Sequence, residues 1–287
     1  MGDIFAAHFA ALGAGFIVSS LMGIISYRLK ALSGSGVAGM VIIGTLVLGF
    51  GGLAAAVPLI IFFITSSFLS HLKSPLKAEA LMIGDKGERR DLAQVAANGG
   101  IGAICIAVLA YTGNFLWFFC YLASICEAAA DTWATEIGTL ADRKPRSIIT
   151  LRIIDPGMSG GVTILGTAAA FGGAFLIGFS AIPILLHNLN IENLFFKIII
   201  AALAGFIGSI IDSILGGSIQ ARYRCPVCRK ITERKSHCRV KTSLAGGIGF
   251  INNDIVNLLG TLAAAVVAFP LLNLPNFVET IRLFFCC

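Results

Sequence analysis

Charged residues are scarce in this chain: Asp, Glu, Lys and Arg make up 13% of its 287 residues. Soluble domains contain about 25% charged residues, so the scarcity excludes an ordinary soluble enzyme. The chain is instead 57% hydrophobic, with a mean hydropathy of +0.90. This composition predicts an all-α, polytopic membrane bundle, because apolar helices of about 20 residues are what spans a bilayer.

Several familiar motifs are also missing. No basic segment precedes the first apolar run, so we expect no cleaved signal peptide. The chain has no GxxxxGK[ST] loop and no protein-kinase signature, so any nucleotide site must be of another kind. The expected partners are the lipid bilayer and a lipid-like substrate, and not a nucleic acid.

The apolar residues form runs that predict about eight transmembrane helices in a single domain covering residues 1–287. The second and third runs are separated only by the glycine-rich turn Gly49–Gly52, and they predict either two short helices or one re-entrant pair. The predicted segments are 4–27, 35–50, 52–71, 92–111, 115–140, 160–182, 197–219 and 247–270.

Basic residues indicate the orientation. Of the 21 Lys and Arg residues, all but Lys197 and Arg282 fall in alternate connections between these segments. Because basic loops are retained on the cytoplasmic side, we expect loops 72–91, 141–159 and 220–246 in the cytoplasm and both termini outside. Merging the second and third segments into one crossing would scatter the basic residues over both sides.

Five of the apolar segments carry polar residues in the half next to the basic loops, and their other halves have almost none. A transporter more often carries such groups near the midplane or along its whole length, so a one-sided pocket favours an enzyme acting on a lipid headgroup. The residues are Gln94 and Asn98 in the fourth segment, Glu127, Asp131 and Glu136 in the fifth, Ser159 and Thr163 in the sixth, Asp212 and Ser213 in the seventh, and Asn252, Asn253, Asp254 and Asn257 in the eighth.

The acidic residues predict a magnesium site. A carboxylate at the centre of a membrane helix costs roughly 2.5–3.5 kcal/mol, so such groups usually bind a cation, pair, or line a cavity. Glu127 and Asp131 share a helix face, whereas Glu136 lies on the opposite face and joins them only if the helix end is distorted, or else serves another subsite. The alternative is hydrogen bonding between helices. The predicted Mg²⁺ ligands are Glu127, Asp131, Asp212 and Asp254, and the predicted catalytic residues are Asp131, Glu127, Glu136 and Asp254.

Basic residues beside this acidic helix are candidates for phosphate contacts. Lys144 and Arg146 follow it directly, and Arg90 precedes the fourth segment. Arginine suits bidentate contacts with phosphate, although basic residues in these loops are also explained by topology alone. Gly160 and Gly161 allow either close approach of the backbone to a phosphate or close helix packing.

The last basic loop contains Cys225 and Cys228 in a CxxC motif, followed by His237 and Cys238. These residue types bind zinc, although adjacent His and Cys ligands are geometrically awkward. Zinc is therefore one interpretation, reduced structural thiols are a second, and a disulfide is a third that a cytoplasmic location disfavours.

Five strings of the sequence form a recognisable pattern: 97–100, 130–138, 144–146, 157–166 and 253–258. The most specific of them is Ala-Asp-Thr-Trp-Ala-Thr-Glu-Ile-Gly at 130–138. Together they resemble one integral-membrane family, which includes the phytyl-phosphate kinases of plants and cyanobacteria and the animal transmembrane protein nineteen. The resemblance extends from about Leu12 to Ala268. Met158-Ser159 departs from the Thr-Asn expected in the glycine motif, which removes one possible amide contact.

The resemblance implies transfer of a phosphoryl group from a nucleoside triphosphate, with CTP favoured, to an isoprenyl monophosphate. Mg²⁺ would be held by the four carboxylates, while Lys144, Arg146 and Arg90 would neutralise phosphates. The amides of Asn98, Asn253 and Asn257 would position phosphoryl oxygens. Two alternatives are a transporter or flippase for an anionic lipid or metabolite, and a CTP-dependent transferase that attaches a nucleotide to a lipid headgroup.

Overall fold

The computed structural model describes residues 2–84, 89–141, 143–186 and 191–273. Long helices dominate these ranges, and short strands occupy the connections between them. The helices are α1 (Gly2–Arg28), α2 (Gly34–Ser70), α3 (Pro75–Ile83), α4 (Leu92–Thr112), α5 (Leu116–Gly138), α6 (Ile164–Ser180), α7 (Ile182–Leu185), α8 (Ile191–Ser218) and α9 (Asn253–Asn273). The strands are β1 (Arg146–Ser147), β2 (Gly161–Val162), β3 (Arg222–Arg224), β4 (Ile231–Thr232), β5 (Ser236–His237), β6 (Val240–Lys241) and β7 (Ser243–Gly246).

Six of the described helices are long and apolar enough to cross a membrane: α1, α2, α4, α6 continued by α7, α8 and α9. Helix α5, which carries the acidic residues, gives a seventh crossing. A reversal of direction inside α2 divides that helix into two crossings and gives the eighth. The prediction of an all-α bundle with about eight membrane helices is confirmed.

The reversal in α2 occurs at Gly52, where φ is 60° and ψ is −159°. At the start of α2, the Ser33 N–H donates to the Arg90 carbonyl oxygen at 3.0 Å. At its end, the Ser70 hydroxyl donates to Glu136 Oε1 at 2.7 Å. Arg90 precedes α4 and Glu136 ends α5, and these two helices form an antiparallel pair. Both ends of α2 therefore lie at the same end of the bundle, and the predicted Gly49–Gly52 turn separates two antiparallel halves.

Helix α5 is the centre of the bundle and packs against α2, α4, α6, α8 and α9. Its residues from Phe118 to Ala130 are all buried. Protein therefore surrounds the side chain of Glu127, which is how an ionisable group is tolerated at membrane depth.

Several polar residues at this end of the bundle cap helices. Asp91 and Gln94 form a reciprocal capping box at the start of α4, with both bonds 3.0 Å long. The Thr163 hydroxyl accepts the Gly166 N–H at 2.9 Å, and Asn252 Oδ1 accepts the Ile255 N–H at 3.1 Å. These caps satisfy N–H groups that the first helical turn leaves without partners.

The connections contain structure that the apolar pattern did not predict. Helix α3 lies within loop 72–91, β1 pairs with β2, and the last loop contains the sheet β4–β3–β7 and the pair β5–β6. Helices α6 and α9 begin later than the predicted segments 160–182 and 247–270. The reason is backbone conformation, because Gly160 and Gly247 have φ angles of 79° and 72°, which a helix cannot contain.

Candidate functional site

A cavity of about 490 Å³ lies where the ends of α4, α5, α6, α8 and α9 meet. Three acidic residues from three helices line it: Asp131 from α5, Asp212 from α8 and Asp254 from α9. Four amide or basic side chains predicted from the sequence also line it: Asn98, Asn253, Asn257 and Arg90. Polar residues that are far apart in the sequence therefore line the same cavity.

The lining of this polar cavity is more acidic than basic. Its carboxylates are Asp131, Glu136, Asp212, Glu233 and Asp254, and its basic groups are Lys77, Arg90 and Arg143. Five carboxylates against three basic groups would repel a phosphate anion. An anionic ligand would therefore need a cation beside it to offset this negative charge.

Glu127 lies beneath the cavity and does not line it. Its side chain is 1% exposed, and neither carboxylate oxygen has a hydrogen-bond partner among the described residues. Glu127 Oε1 and Asp212 Oδ2 both lie next to Gly260 of α9. A buried carboxylate without partners is costly, and a cation nearby would offset that cost.

Asp212 is held by the first turns of α9. With the Asn257 amide oriented to satisfy its hydrogen bonds, its nitrogen donates to Asp212 Oδ2 at 3.3 Å and to the Asn253 carbonyl oxygen at 3.0 Å. Asp212 and Asp254 are 7% and 8% exposed. Asn257 therefore orients one of the acids instead of extending freely into the cavity.

The four predicted Mg²⁺ ligands do not form a compact ligand set. A compact set would be a group of three or more Asp, Glu, His or Cys residues whose ligand atoms all lie within 4.8 Å of one another. Within the described ranges, one such group is found, and it is the Cys and His cluster of the last loop. Mg²⁺ is commonly bound by one or two carboxylates together with substrate phosphates and waters. The cavity fits that mode of binding better than a cage made of four carboxylates.

Glu136 lines the polar cavity together with Asp131, but its carboxylate is paired. Its Oε2 lies 2.6 Å from Lys77 Nζ, and its Oε1 accepts the Ser70 hydroxyl. Lys77 also donates to the Ser70 carbonyl oxygen at 2.6 Å. Glu136 thus lines the same cavity as Asp131 with its charge already paired, and its assignment to the acidic site or to another subsite stays a prediction.

Lys77 was missed as a site residue because it was assigned to a loop. It is buried and lies on α3, which begins with the Ser74 hydroxyl accepting the Lys77 N–H at 3.0 Å. The Ser-Pro pair at 74–75 is an N-cap followed by proline in the first turn, and this signal could have revealed the helix.

Lys144 and Arg146 lie outside the lining of the polar cavity, contrary to their predicted role at phosphates. Lys144 is exposed, 3.9 Å from Asp155 Oδ1. The Arg146 guanidinium donates to the Leu151 carbonyl oxygen, since β1 directs it toward its own loop. Arg143 lines the cavity in their place.

The glycine loop between β1 and α6 uses its conformational freedom for packing. A Cβ on Gly160 would lie 2.5 Å from Gly217 Cα of α8, so the glycine permits close approach of the two segments. The Gly161 N–H donates to the Met158 carbonyl oxygen at 3.2 Å. Both glycines line the polar cavity, but Gly160 serves helix packing and the Gly161 N–H is already used within the loop.

A second, apolar cavity of about 80 Å³ lies between α1 and the two halves of α2. Arg90 and Asn98 line both cavities, so the two are adjacent. Burial lowers the pKa of Arg90, and the charge of Glu136 partly offsets that shift. The lining of the apolar cavity includes Val18, Met22, Met40, Val47, Leu59 and Phe63.

Gly260 on α9 provides a test of how the acids are packed. A methyl group at this position would overlap Glu127 Oε1 and lie 3.1 Å from Asp212 Oδ2. We expect Gly260→Ala to destabilise the protein by about 1–3 kcal/mol, because the overpacked carboxylates must shift. Thermal unfolding in detergent measures the effect. Gly172→Ala is the matched control, since a Cβ there meets nothing within 4 Å. Equal melting temperatures for the two variants would contradict this packing.

A bundle of membrane-length helices with a polar cavity at one end is a multi-pass integral membrane protein. The chain belongs to the family described as integral membrane protein DUF92, whose model matches residues 17–265. The family predicted from the sequence motifs is thereby confirmed.

Curated relatives of this chain include proteins from a plant, an archaeon and a cyanobacterium. The chain is 29% identical to Protein PGR of Arabidopsis thaliana over 86% of this chain and 91% of that protein. It is 31% identical to the uncharacterized membrane protein MJ0933 of Methanocaldococcus jannaschii over 88% and 90%. It is 23% identical to the chloroplastic Protein VTE6 of Arabidopsis thaliana over 83% and 64%. No solved structure matches the chain.

Proposed function

We propose that this protein is a membrane-embedded kinase that transfers a phosphoryl group from a nucleoside triphosphate, with CTP favoured, to an isoprenyl monophosphate. The observation that carries the proposal is the adjacency of the two cavities. An acidic, polar cavity meets an apolar one at Arg90 and Asn98. A substrate with a phosphate head and a hydrocarbon tail would place its head at these residues and its tail against α1 and α2. The phytyl-phosphate kinase activity implied by the sequence resemblance supports the same conclusion.

The polar cavity is proposed to face the cytoplasm. It lies at the end of the bundle where the loops carry most of the Lys and Arg residues, and such loops are retained in the cytoplasm. Nucleoside triphosphates would then reach the cavity from the aqueous phase, while the prenyl substrate would enter from the bilayer.

The carboxylates of Asp131, Asp212 and Asp254 would hold Mg²⁺ together with the nucleotide phosphates. When bound, the cation supplies neutralisation of the charge on the phosphates. Glu127 would contribute its negative charge from beneath. Arg90 and the amide of Asn98 would contact the acceptor phosphate, since both line the polar and the apolar cavity.

The proposed reaction requires little acid–base chemistry. A phosphate monoester carries a second pKa of about 6, so its oxygen is already ionised at neutral pH. That oxygen forms a bond to the γ-phosphorus, the bond to the β-phosphate oxygen breaks, and the nucleoside diphosphate leaves. Such transfer depends mainly on positioning and charge neutralisation. The carboxylates would therefore act as cation ligands instead of general bases.

A transport function receives less support from the core. The fully buried side chains of Phe118, Phe119 and Tyr121 fill α5 near its other end. Among the described residues, the polar lining is confined to one end of the bundle. A path for an anionic solute would need polar groups beyond this layer of aromatic residues.

The experiment that tests the proposal is a product assay on purified protein. CTP, ATP, GTP and UTP are each combined with Mg²⁺ and phytyl or geranylgeranyl monophosphate, and the lipid products are identified by mass spectrometry. We expect a prenyl diphosphate and an equal amount of nucleoside diphosphate. A CDP-lipid with released pyrophosphate would identify the transferase, and uptake into proteoliposomes without nucleotide turnover would identify the transporter. Either result would overturn the kinase assignment.

The apolar cavity makes a prediction about chain length. Val47 is buried and lines this cavity, so Val47→Phe would fill part of it. We expect KM for a 20-carbon prenyl monophosphate to rise about tenfold or more, with a smaller change for a 10-carbon one. Ile42→Phe is the control, because Ile42 lies on the same half of α2 but is exposed and does not line the cavity. An equal effect on both chain lengths would contradict this position for the tail.

A further inference from the structure

We propose that Cys225, Cys228, His237 and Cys238 bind one Zn²⁺ ion that holds the loop between α8 and α9 in its folded form. Cys225 and Cys228 lie in the turn between β3 and β4, His237 is the last residue of β5, and Cys238 lies in the turn between β5 and β6. Their four ligand atoms all lie within 4.8 Å of one another. The proposal does not depend on the kinase assignment.

The distances within the cluster suit a tetrahedral metal site. His237 Nδ1 lies 3.4 Å from Cys228 Sγ and 3.2 Å from Cys238 Sγ. Ligand bonds of about 2.3 Å for sulfur and 2.0–2.1 Å for nitrogen place tetrahedral neighbours roughly 3.6 Å apart. The adjacency of His237 and Cys238 is accommodated because Cys238 has a φ of 51°, which turns the chain between the two side chains.

The first turn has the backbone expected around a metal-bound thiolate. Cys225 and Arg229 form a tight loop in which the Arg229 N–H donates to the Cys225 carbonyl oxygen at 3.0 Å, and Arg229 has a φ of 61°. The Cys225 side chain is fully buried. A disulfide would use two of the three thiols and leave the third and His237 beside it without a role.

The cluster has a structural consequence at the polar cavity. Between the two metal-binding turns, Glu233 accepts the Ser159 N–H through Oε1 at 2.7 Å, and its own N–H donates to the Ile83 carbonyl oxygen at 3.0 Å. Arg234 Nε donates to the Gly84 carbonyl oxygen at 2.7 Å. These bonds cap the end of α3 and join it to the glycine loop. The metal would thus stabilise a segment that forms one wall of the cavity.

The first test is the metal content of protein purified in detergent without added zinc, measured by inductively coupled plasma mass spectrometry. We expect about one zinc per chain. Cys228→Ser should lose most of it, while Cys105→Ser, which alters a buried thiol of α4, should keep it. Retention of zinc by Cys228→Ser, or a Cys225–Cys228 disulfide in freshly purified protein, would overturn the proposal.

A second measurement remains informative if Cys228→Ser fails to fold. In the unaltered protein, replacement of the metal by Co²⁺ should produce a thiolate-to-metal absorption band in the near ultraviolet. Removal of the metal with a chelator should increase amide hydrogen exchange at Ser159 and Glu233 and leave α5 protected. No absorption band, or iron in place of zinc, would contradict the assignment, as would unchanged exchange after removal of the metal.

Discussion

Asp131→Asn is expected to reduce phosphoryl transfer by about three orders of magnitude, equivalent to roughly 4 kcal/mol of transition-state stabilisation. Two acids of α5 line the polar cavity, Asp131 and Glu136, and Glu136 is paired with Lys77. The amide is nearly the same size, so the variant should stay folded in detergent while losing a charged cation ligand. Because the substitution also removes negative charge from an acidic cavity, binding of nucleotide without Mg²⁺ should not weaken. The measurement is the rate of prenyl diphosphate formation at saturating Mg²⁺.

Asp155→Asn is the control for this substitution. Asp155 is exposed and lies 3.9 Å from Lys144, outside the lining of the polar cavity. We expect its activity to be unchanged. Full activity in Asp131→Asn, or an equal loss in both variants, would move the chemistry away from this cavity.

Lys77→Met should destabilise the protein by about 3–5 kcal/mol, because it leaves the half-buried Glu136 carboxylate without its cation. The side chains of Lys77 and Glu136 are 9% and 17% exposed, and their charged atoms are 2.6 Å apart. Methionine keeps most of the length of lysine, so the change is mainly electrostatic. Chemical denaturation in detergent gives the free energy of unfolding.

Two further variants separate the ion pair from general effects of losing a lysine. Lys144→Met removes one member of an exposed pair at 3.9 Å and should cost at most about 1 kcal/mol. The double variant Lys77→Met/Glu136→Gln should recover part of the lost stability, because no uncompensated charge remains. Equal stability of Lys77→Met and Lys144→Met would show that the buried pair contributes nothing.

The apolar pattern was sufficient to predict the bundle and its polar end. Long hydrophobic runs have few alternatives to helices in a bilayer, and the glycine-rich break at 49–52 separates the two halves of α2 at Gly52. Asp131, Asp212 and Asp254 were predicted to meet because each lies at a helix end next to basic loops. The position of a residue along a membrane helix can be predicted from the sequence. Asp131, Asp212 and Asp254 have similar positions along their helices, so the sequence was sufficient to predict that they lie at the same depth.

Side-chain direction was not readable in the same way. Lys144 follows the acidic helix directly, yet β1 and the loop after it turn this region outward, whereas Lys77, far away in the sequence, points inward from α3. Hydropathy cannot detect a 9-residue helix such as α3, nor strands of two to four residues. The position of Glu127 beneath the cavity depends on Gly208 and Gly260, and close packing at glycines is a tertiary property.

The most direct test of a cation in the acidic cavity is the binding of Mn²⁺, a substitute for Mg²⁺, followed by electron paramagnetic resonance. The purified protein is titrated with Mn²⁺ in the presence of a non-hydrolysable CTP analogue, and Asp131→Asn is titrated in parallel. We expect one Mn²⁺ per chain with the unaltered protein and at least about tenfold weaker binding with the variant. Equal binding by both proteins, or no bound Mn²⁺ in either, would contradict a cation held with nucleotide by these carboxylates.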